Sequence, residues 1–107
     1  MISFEDWQKI DLRVGLIKEV EEIEGKDKLY KMTVDFGEEK RTVVAGLKQF
    51  YSIDELKGKK SVFVYNLEPV KLAGIESQAM ILAAKNNEDK YKINFVDDSV
   101  EAGTKME

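Results

Sequence analysis

Leu29-Tyr30-Lys31-Met32-Thr33-Val34-Asp35-Phe36, then Gly37-Glu38-Glu39, then Lys40-Arg41-Thr42-Val43-Val44-Ala45 is the stretch that decides the fold class. Tyr30, Met32, Val34 and Phe36 occupy alternate positions, which is the period of a strand with one face in a core. The segment after Gly37 matches it in length and is rich in β-branched residues, so the pair reads as an antiparallel hairpin. Working outward, Asp11 to Val20 also alternates. Leu12, Val14, Leu16 and Val20 are assigned to the core side, and Arg13 and Glu19 to the other. Gly15 lies inside that strand, where a barrel strand bends sharply. Upstream, Ser3 is expected to cap a single helical turn that puts Phe4 and Trp7 on one face. Between these elements Glu21 to Asp27 is charged, contains Gly25 and reads as a loop.

On the C-terminal side, Gly46 closes the third strand and Ser52 caps one helical turn ended by Gly58. Ser61 to Leu67 sets Phe63 and Tyr65 against Val62 and Val64 as a fourth strand. Pro69 and Gly74 bracket a loop, Ser77 to Ala84 is the fifth strand, and Tyr91 to Val96 is a short further one before a polar tail. Five evenly spaced strands with a short helix between the third and fourth predict an all-β protein. The expected architecture is a five-stranded Greek-key OB-fold barrel with short helical segments and terminal extensions. The 107 residues fit one domain, long enough to bury roughly 65% of the unfolded chain's surface.

Composition excludes several chemistries. The chain has no His and no Cys, so it lacks the usual zinc ligands and any His-activated nucleophile. Asp97-Asp98 is the most conspicuous carboxylate pair and reads as a solvent-facing feature of a polar tail. No Gly-rich phosphate loop occurs. No catalytic residue, metal or cofactor is expected. The longest apolar run, Ala79 to Ala84, is far too short to span a membrane, and Met1 to Asp6 carries no leader pattern, so a cytoplasmic protein is expected. The formal charge is −4, but residues 25–85 hold 11 basic and 8 acidic groups while both ends are acidic. A polyanion responds to such a local field, not to the sum. The same pattern also suits an ordinary solvated surface.

Four blocks carry a resemblance. They are Asp11-Leu12-Arg13-Val14-Gly15; Lys28-Leu29-Tyr30 with Val34-Asp35-Phe36-Gly37; Arg41-Thr42-Val43-Val44-Ala45-Gly46-Leu47; and Asn66 through Ala84, with Ser77-Gln78-Ala79-Met80 inside it. Together they resemble the tRNA-binding domain found at the C-terminus of many methionyl-tRNA synthetases, in EMAP-II-like cofactors and in free-standing tRNA-binding proteins. The match runs from Phe4 to Gly103. The resemblance implies an OB barrel that binds tRNA by shape, at the outer corner of the L, and a homodimer in free-standing members. It also implies a role beside a methionyl-tRNA synthetase catalytic chain, like a β subunit.

By the same resemblance Lys28, Arg41, Asn66 and Lys71 are expected to meet tRNA, with Ser77, Met80, Arg13 and Lys31 as further candidates. Cations for phosphates and small polar groups for 2′-hydroxyls are what such a surface needs. Each position has an ordinary reading as well. A strand Lys is commonly a solvated edge residue, Asn66 before Pro69 a turn residue, and Met80 a core residue. Arg41 can pair with Glu38 or Glu39. The sequence departs from the family at Ile23 to Asp27, where a His-Pro-containing loop is common, and at Glu68, Val70 and Ala73, which dilute a usually basic loop. Fewer cations imply weak or moderate tRNA affinity. Residues 1–10 and 86–107 are expected to form a two-fold interface through Phe4, Trp7, Tyr91, Ile93 and Phe95, unless Phe4 and Trp7 cap their own barrel. The main alternative function is that of a CsaA-type export chaperone, which shares the fold and binds polypeptide.

Overall fold

The computed structural model describes all 107 residues. Its centre is a five-stranded antiparallel sheet in the order β3-β2-β1-β4-β7, curled into a nearly closed barrel of OB type. The strands are β1 (Leu12–Glu22), β2 (Tyr30–Asp35), β3 (Lys40–Ala45), β4 (Lys60–Val64) and, beyond a small hairpin, β7 (Met80–Ile81). That hairpin is β5 (Val70–Leu72) with β6 (Ile75–Ser77), and a second consists of β8 (Ala83–Lys85) with β9 (Tyr91–Ile93). Helix α1 spans Phe4–Trp7 and α2 spans Ile53–Leu56.

The expected β2–β3 hairpin forms, with Tyr30 opposite Ala45 through Asp35 opposite Lys40 and with Tyr30, Met32, Val34 and Phe36 buried. Strand β1 curls the sheet. Its first half pairs with β4 and its second with β2, and a register shift between Ile17 and Glu19 marks a bulge. Upstream of that bulge the assigned faces are exchanged. Ile17 is in the core, and Leu16 is only half-buried. Gly15 also faces inward: a Cβ there would lie 2.5 Å from Val34 Cγ1 and 2.8 Å from the Phe63 ring. The strand therefore crosses the core where there is no room for a side chain.

Val14 lies on the outer face and is buried all the same, because the C-terminal segment covers it. The Gly103 N–H donates to Val14 O (2.7 Å), the Val14 N–H to Thr104 O (2.9 Å) and the Met106 N–H to Leu12 O (2.7 Å). What the sequence presents as a polar tail thus pairs with a free edge of β1. Helix α2 closes one end of the barrel with fully buried Leu56. Ser52 and Glu55 form a reciprocal capping box on it. Ser3 caps α1 as expected, its Oγ accepting from the Asp6 N–H at 3.1 Å.

The expected fifth strand, Ser77 to Ala84, is three short pieces, because successive residues bond to different partners. Ser77 pairs with β5, Met80–Ile81 with β4 and Ala83–Lys85 with β9. The loop expected between Pro69 and Gly74 holds β5. Its turn is Ala73-Gly74, both with positive φ, the pattern of a tight type I′ hairpin.

Candidate nucleic-acid interface

Tyr65, just past β4, organises the mouth of the barrel. The Arg13 guanidinium carbon, from β1, lies 4.1 Å from its ring centroid, and that of Arg41, from β3, lies 3.6 Å away. The Phe36 ring meets the same phenol edge-on at 4.9 Å. Cation–π attraction holds both guanidiniums there, so the aromatic faces are occupied from within the chain. The cations are paired as well. Arg13 donates from Nε and Nη2 to the Asp11 carboxylate, both at 3.0 Å. Arg41 donates from Nε to Glu39 Oε1 (2.8 Å) and from Nη1 to the carbonyls of Tyr65 (2.7 Å) and Gln78 (3.1 Å). The Tyr65 hydroxyl also donates to Glu39.

These contacts shift the titrations in opposite directions. The Tyr65 hydroxyl, then Arg41, holds the Glu39 carboxyl below its ordinary range. Burial, then Glu39, raises the Tyr65 phenol, and the Asp11 hydrogen bond raises Arg13. A carboxyl depressed in the folded state stabilises the fold above the unfolded-state value, and that stability is lost as pH falls through the folded value. Urea unfolding from pH 5 to 3 is therefore expected to show wild type losing stability below about 4.5, with a shallower loss for Glu39→Gln.

The structure separates the expected tRNA contacts into two groups. Asn66 and Ser77 are engaged internally. The Asn66 Oδ1 accepts from the Asp11 N–H (2.8 Å) and its Nδ2 donates to Lys9 O (2.7 Å), which ties the N-terminal segment to the end of β4. Ser77 is buried, with Oγ accepting from the Val44 N–H (3.0 Å) and donating to Ala79 O (3.2 Å). Gln78 continues this seam. Its Oε1 accepts from the Thr42 N–H (2.9 Å) and its own N–H donates to Thr42 O (2.8 Å). Side chains thus complete the join between β3 and the β6–β7 segment. With Arg13 and Arg41 these residues brace the mouth.

Lys28 and Lys71 are exposed and take part in no ion pair. The Lys28 carbonyl accepts from the Lys48 N–H, so Lys28 sits at the Ala45 end of β3. Arg41 is at the other end, roughly 15 Å away at the rise of a strand. Lys71 lies on exposed β5. Lys31 faces Glu21 at 4.0 Å. Met80 is half exposed, between apolar hollows of about 290 and 250 Å³.

Among the residues expected at a two-fold interface, Ile93 belongs to the core, where its N–H also donates to the Tyr51 hydroxyl, and it offers no surface. Phe4 is 71% exposed and Trp7 36%, and neither belongs to the core cluster. Together with Ile10 and Met106 they line a hollow of about 350 Å³. Tyr91 and Phe95 are exposed, each edge-on to an aromatic, Phe50 and Tyr51 respectively. Two site residues lie outside the sequence expectation, Tyr65 and Gln78, and of these only Gln78 had a signal, its place in the Ser-Gln-x-Met block. Glu39 entered the expectation only as a partner for Arg41.

A small OB-type barrel with a polar mouth defines a class of modules that bind oligonucleotides or oligosaccharides. Residues 12–105 match the family model described as "Putative tRNA binding domain", and the chain belongs to this tRNA-binding domain family. It is 51% identical over 105 residues to a methionine–tRNA ligase of Caldanaerobacter subterraneus subsp. tengcongensis, covering 98% of this chain and 16% of that enzyme. The chain therefore spans about one sixth of that relative. Among solved structures, a MetRS-related protein from Pyrococcus horikoshii superposes with a TM-score of 0.94 at 38% identity, covering 99% of this chain and 97% of that one. A CsaA chaperone protein from Picrophilus torridus gives 0.89 at 34%, with both chains fully covered. No helix is long and apolar enough to cross a membrane.

Proposed function

We propose that this domain holds tRNA without catalysing a reaction on it, working in trans beside a methionyl-tRNA synthetase catalytic chain. The observation that carries this reading is a pair of free, exposed cations, Lys28 and Lys71, on a domain of the tRNA-binding family. Phosphate neutralisation by such lysines is the sequence-independent part of RNA binding. The synthetase partner is supported by the methionine–tRNA ligase that contains a stretch 51% identical to this chain. The 107 residues act as one unit, and a second copy docks on Phe4, Trp7, Ile10 and Met106, which doubles the basic surface. Light scattering at micromolar concentration is expected to give the dimer mass. A monomer removes this part of the proposal.

The test of tRNA binding is titration of bulk tRNA at several salt concentrations. Lys28→Ala/Lys71→Ala is expected to flatten the slope of log K against log salt by about 1.4 to 1.8, since each phosphate contact contributes about 0.7 to 0.9. Both side chains are solvated, so stability should stay within about 0.5 kcal/mol of wild type. An unchanged slope would place the phosphate contacts elsewhere.

The apolar hollows flanking Met80 favour one second reading, polypeptide binding like that of the CsaA chaperones. Binding of an unstructured polypeptide that persists in high salt would support it, because phosphate contacts do not persist there.

A further inference from the structure

We infer that the mouth of the barrel holds a pocket for one unpaired nucleobase, and that its edge chemistry selects guanine. The inference rests on the tRNA-binding reading and names what that surface takes besides phosphate. A hollow of about 480 Å³ opens between the start of β3 and the Tyr65–Pro69 loop, lined by Glu39, Lys40, Arg41, Glu68 and Gln78 among others. That volume is in the range of small-molecule sites.

Its charge argues against phosphate. Arg41 is already paired with Glu39, and the two remaining charges, Lys40 and Glu68, have opposite signs. A phosphate entering here meets two carboxylates against one free cation, Lys40, and no unpaired guanidinium. A neutral planar ring meets no such repulsion. Arg41 supplies the platform, held in one orientation by bonds from Nε and Nη1 and resting one face on Tyr65. It lines the hollow with Nη2 unpartnered within the chain, and the base is assigned to the guanidinium face turned away from Tyr65. Bases stack on guanidinium planes in this way in recognition of single-stranded RNA.

The edge groups give the selectivity. The Gln78 Oε1 and the Asn66 Oδ1 are occupied by backbone N–H groups and Glu39 Oε1 by Arg41 and Tyr65, so the free charged acceptors are the two Glu68 oxygens and Glu39 Oε2. The ring that suits them carries adjacent N–H donors. Guanine presents N1–H and N2–H₂ side by side, which matches the two oxygens of one carboxylate. Adenine, cytosine and uracil do not offer that pair.

The test is a ¹H–¹⁵N NMR titration of the full chain with the four nucleoside 5′-monophosphates and with inorganic phosphate. The expected result is that GMP shifts the amides of residues 39–41, 65–68 and 78, about tenfold more tightly than AMP, CMP or UMP, with no effect of inorganic phosphate there. Glu68→Ala should abolish the GMP response and weaken bulk tRNA without changing the salt slope, since no phosphate contact is lost. Equal shifts by all four nucleotides overturn the guanine selectivity, and shifts caused by inorganic phosphate overturn the base pocket. Unaltered tRNA binding by Glu68→Ala, with GMP binding lost, overturns its role in RNA recognition. If GMP fills the hollow but tRNA does not bind even at low salt, the tRNA reading fails and the pocket stands. If tRNA binds and GMP does not, the reverse holds.

Discussion

Gly103→Ala is expected to lower stability by about 3 kcal/mol, which corresponds to a melting temperature roughly 10–15 °C lower for a chain of this size. Gly103 has φ +91°, a conformation that L-residues with a Cβ strongly disfavour. A Cβ there would also lie 2.2 Å from the Phe36 carbonyl oxygen, and that oxygen belongs to the backbone at the end of the central hairpin. Neither side can yield, so the C-terminal segment must lift. Lifting it breaks the bonds from Gly103 and Met106 to β1 and the one from Val14 to Thr104, and it uncovers Val14. Gly74→Ala is the control. Gly74 has φ +77° but nothing within 4 Å of its Cβ position, so only the conformational penalty of about 1 kcal/mol applies. Thermal melts of the two variants, with hydrogen exchange at the Val14 and Gly103 amides, separate the clash from the penalty. Equal losses in the two would mean that the C-terminal segment adds little to the barrel.

The same segment shows where the sequence stops being legible. The β2–β3 hairpin is readable because one face is buried and the other is wet, so the polarity alternates. Ser3 and Ser52 are readable because a cap is a local event. Residues 96–106 carry no alternation. They are bound through backbone groups, which every residue has, and their burial partner Val14 lies some ninety positions away. The exchange of faces in β1 has the same origin. Leu12, Val14 and Leu16 alternate correctly, but the outer face they occupy is covered by a distant segment, while Gly15 marks the crowded inner one.

At the site, the cations of the expected set divide by engagement: Arg13, Arg41 and Lys31 face carboxylates of their own chain, and Lys28 and Lys71 do not. Only part of that division is legible in the sequence. Arg13 follows Asp11 by two positions and Arg41 follows Glu39 by two, spacings that place each pair on one side of a strand. That local signal does foretell the pairing. The shared Tyr65 ring, contributed by the residue just past β4, does not follow from it, because it depends on the barrel closing.

Arg41→Ala is therefore expected to act on the fold first, lowering stability by about 2–4 kcal/mol, while Lys28→Ala and Lys71→Ala leave it unchanged. Arg41 satisfies the Tyr65 and Gln78 carbonyls, pairs with Glu39 and stacks on Tyr65, and it does so while mostly shielded from water, with 23% of its side chain exposed. Removing it leaves two carbonyls without their donor and Glu39 with only the Tyr65 hydroxyl, at the seam where Ser77 and Gln78 already substitute for a strand ladder. Arg41→Lys should recover little, because an ammonium cannot reach three acceptors in a plane while lying on a ring. On folded protein, the slope of log K for tRNA against log salt should match wild type in Arg41→Ala, since the charge removed was already neutralised by Glu39. Urea unfolding and the salt titration together discriminate. A slope flattened by about one phosphate contact, with stability unchanged, would make Arg41 a direct phosphate ligand and would mean that the pairing at the mouth opens when tRNA binds.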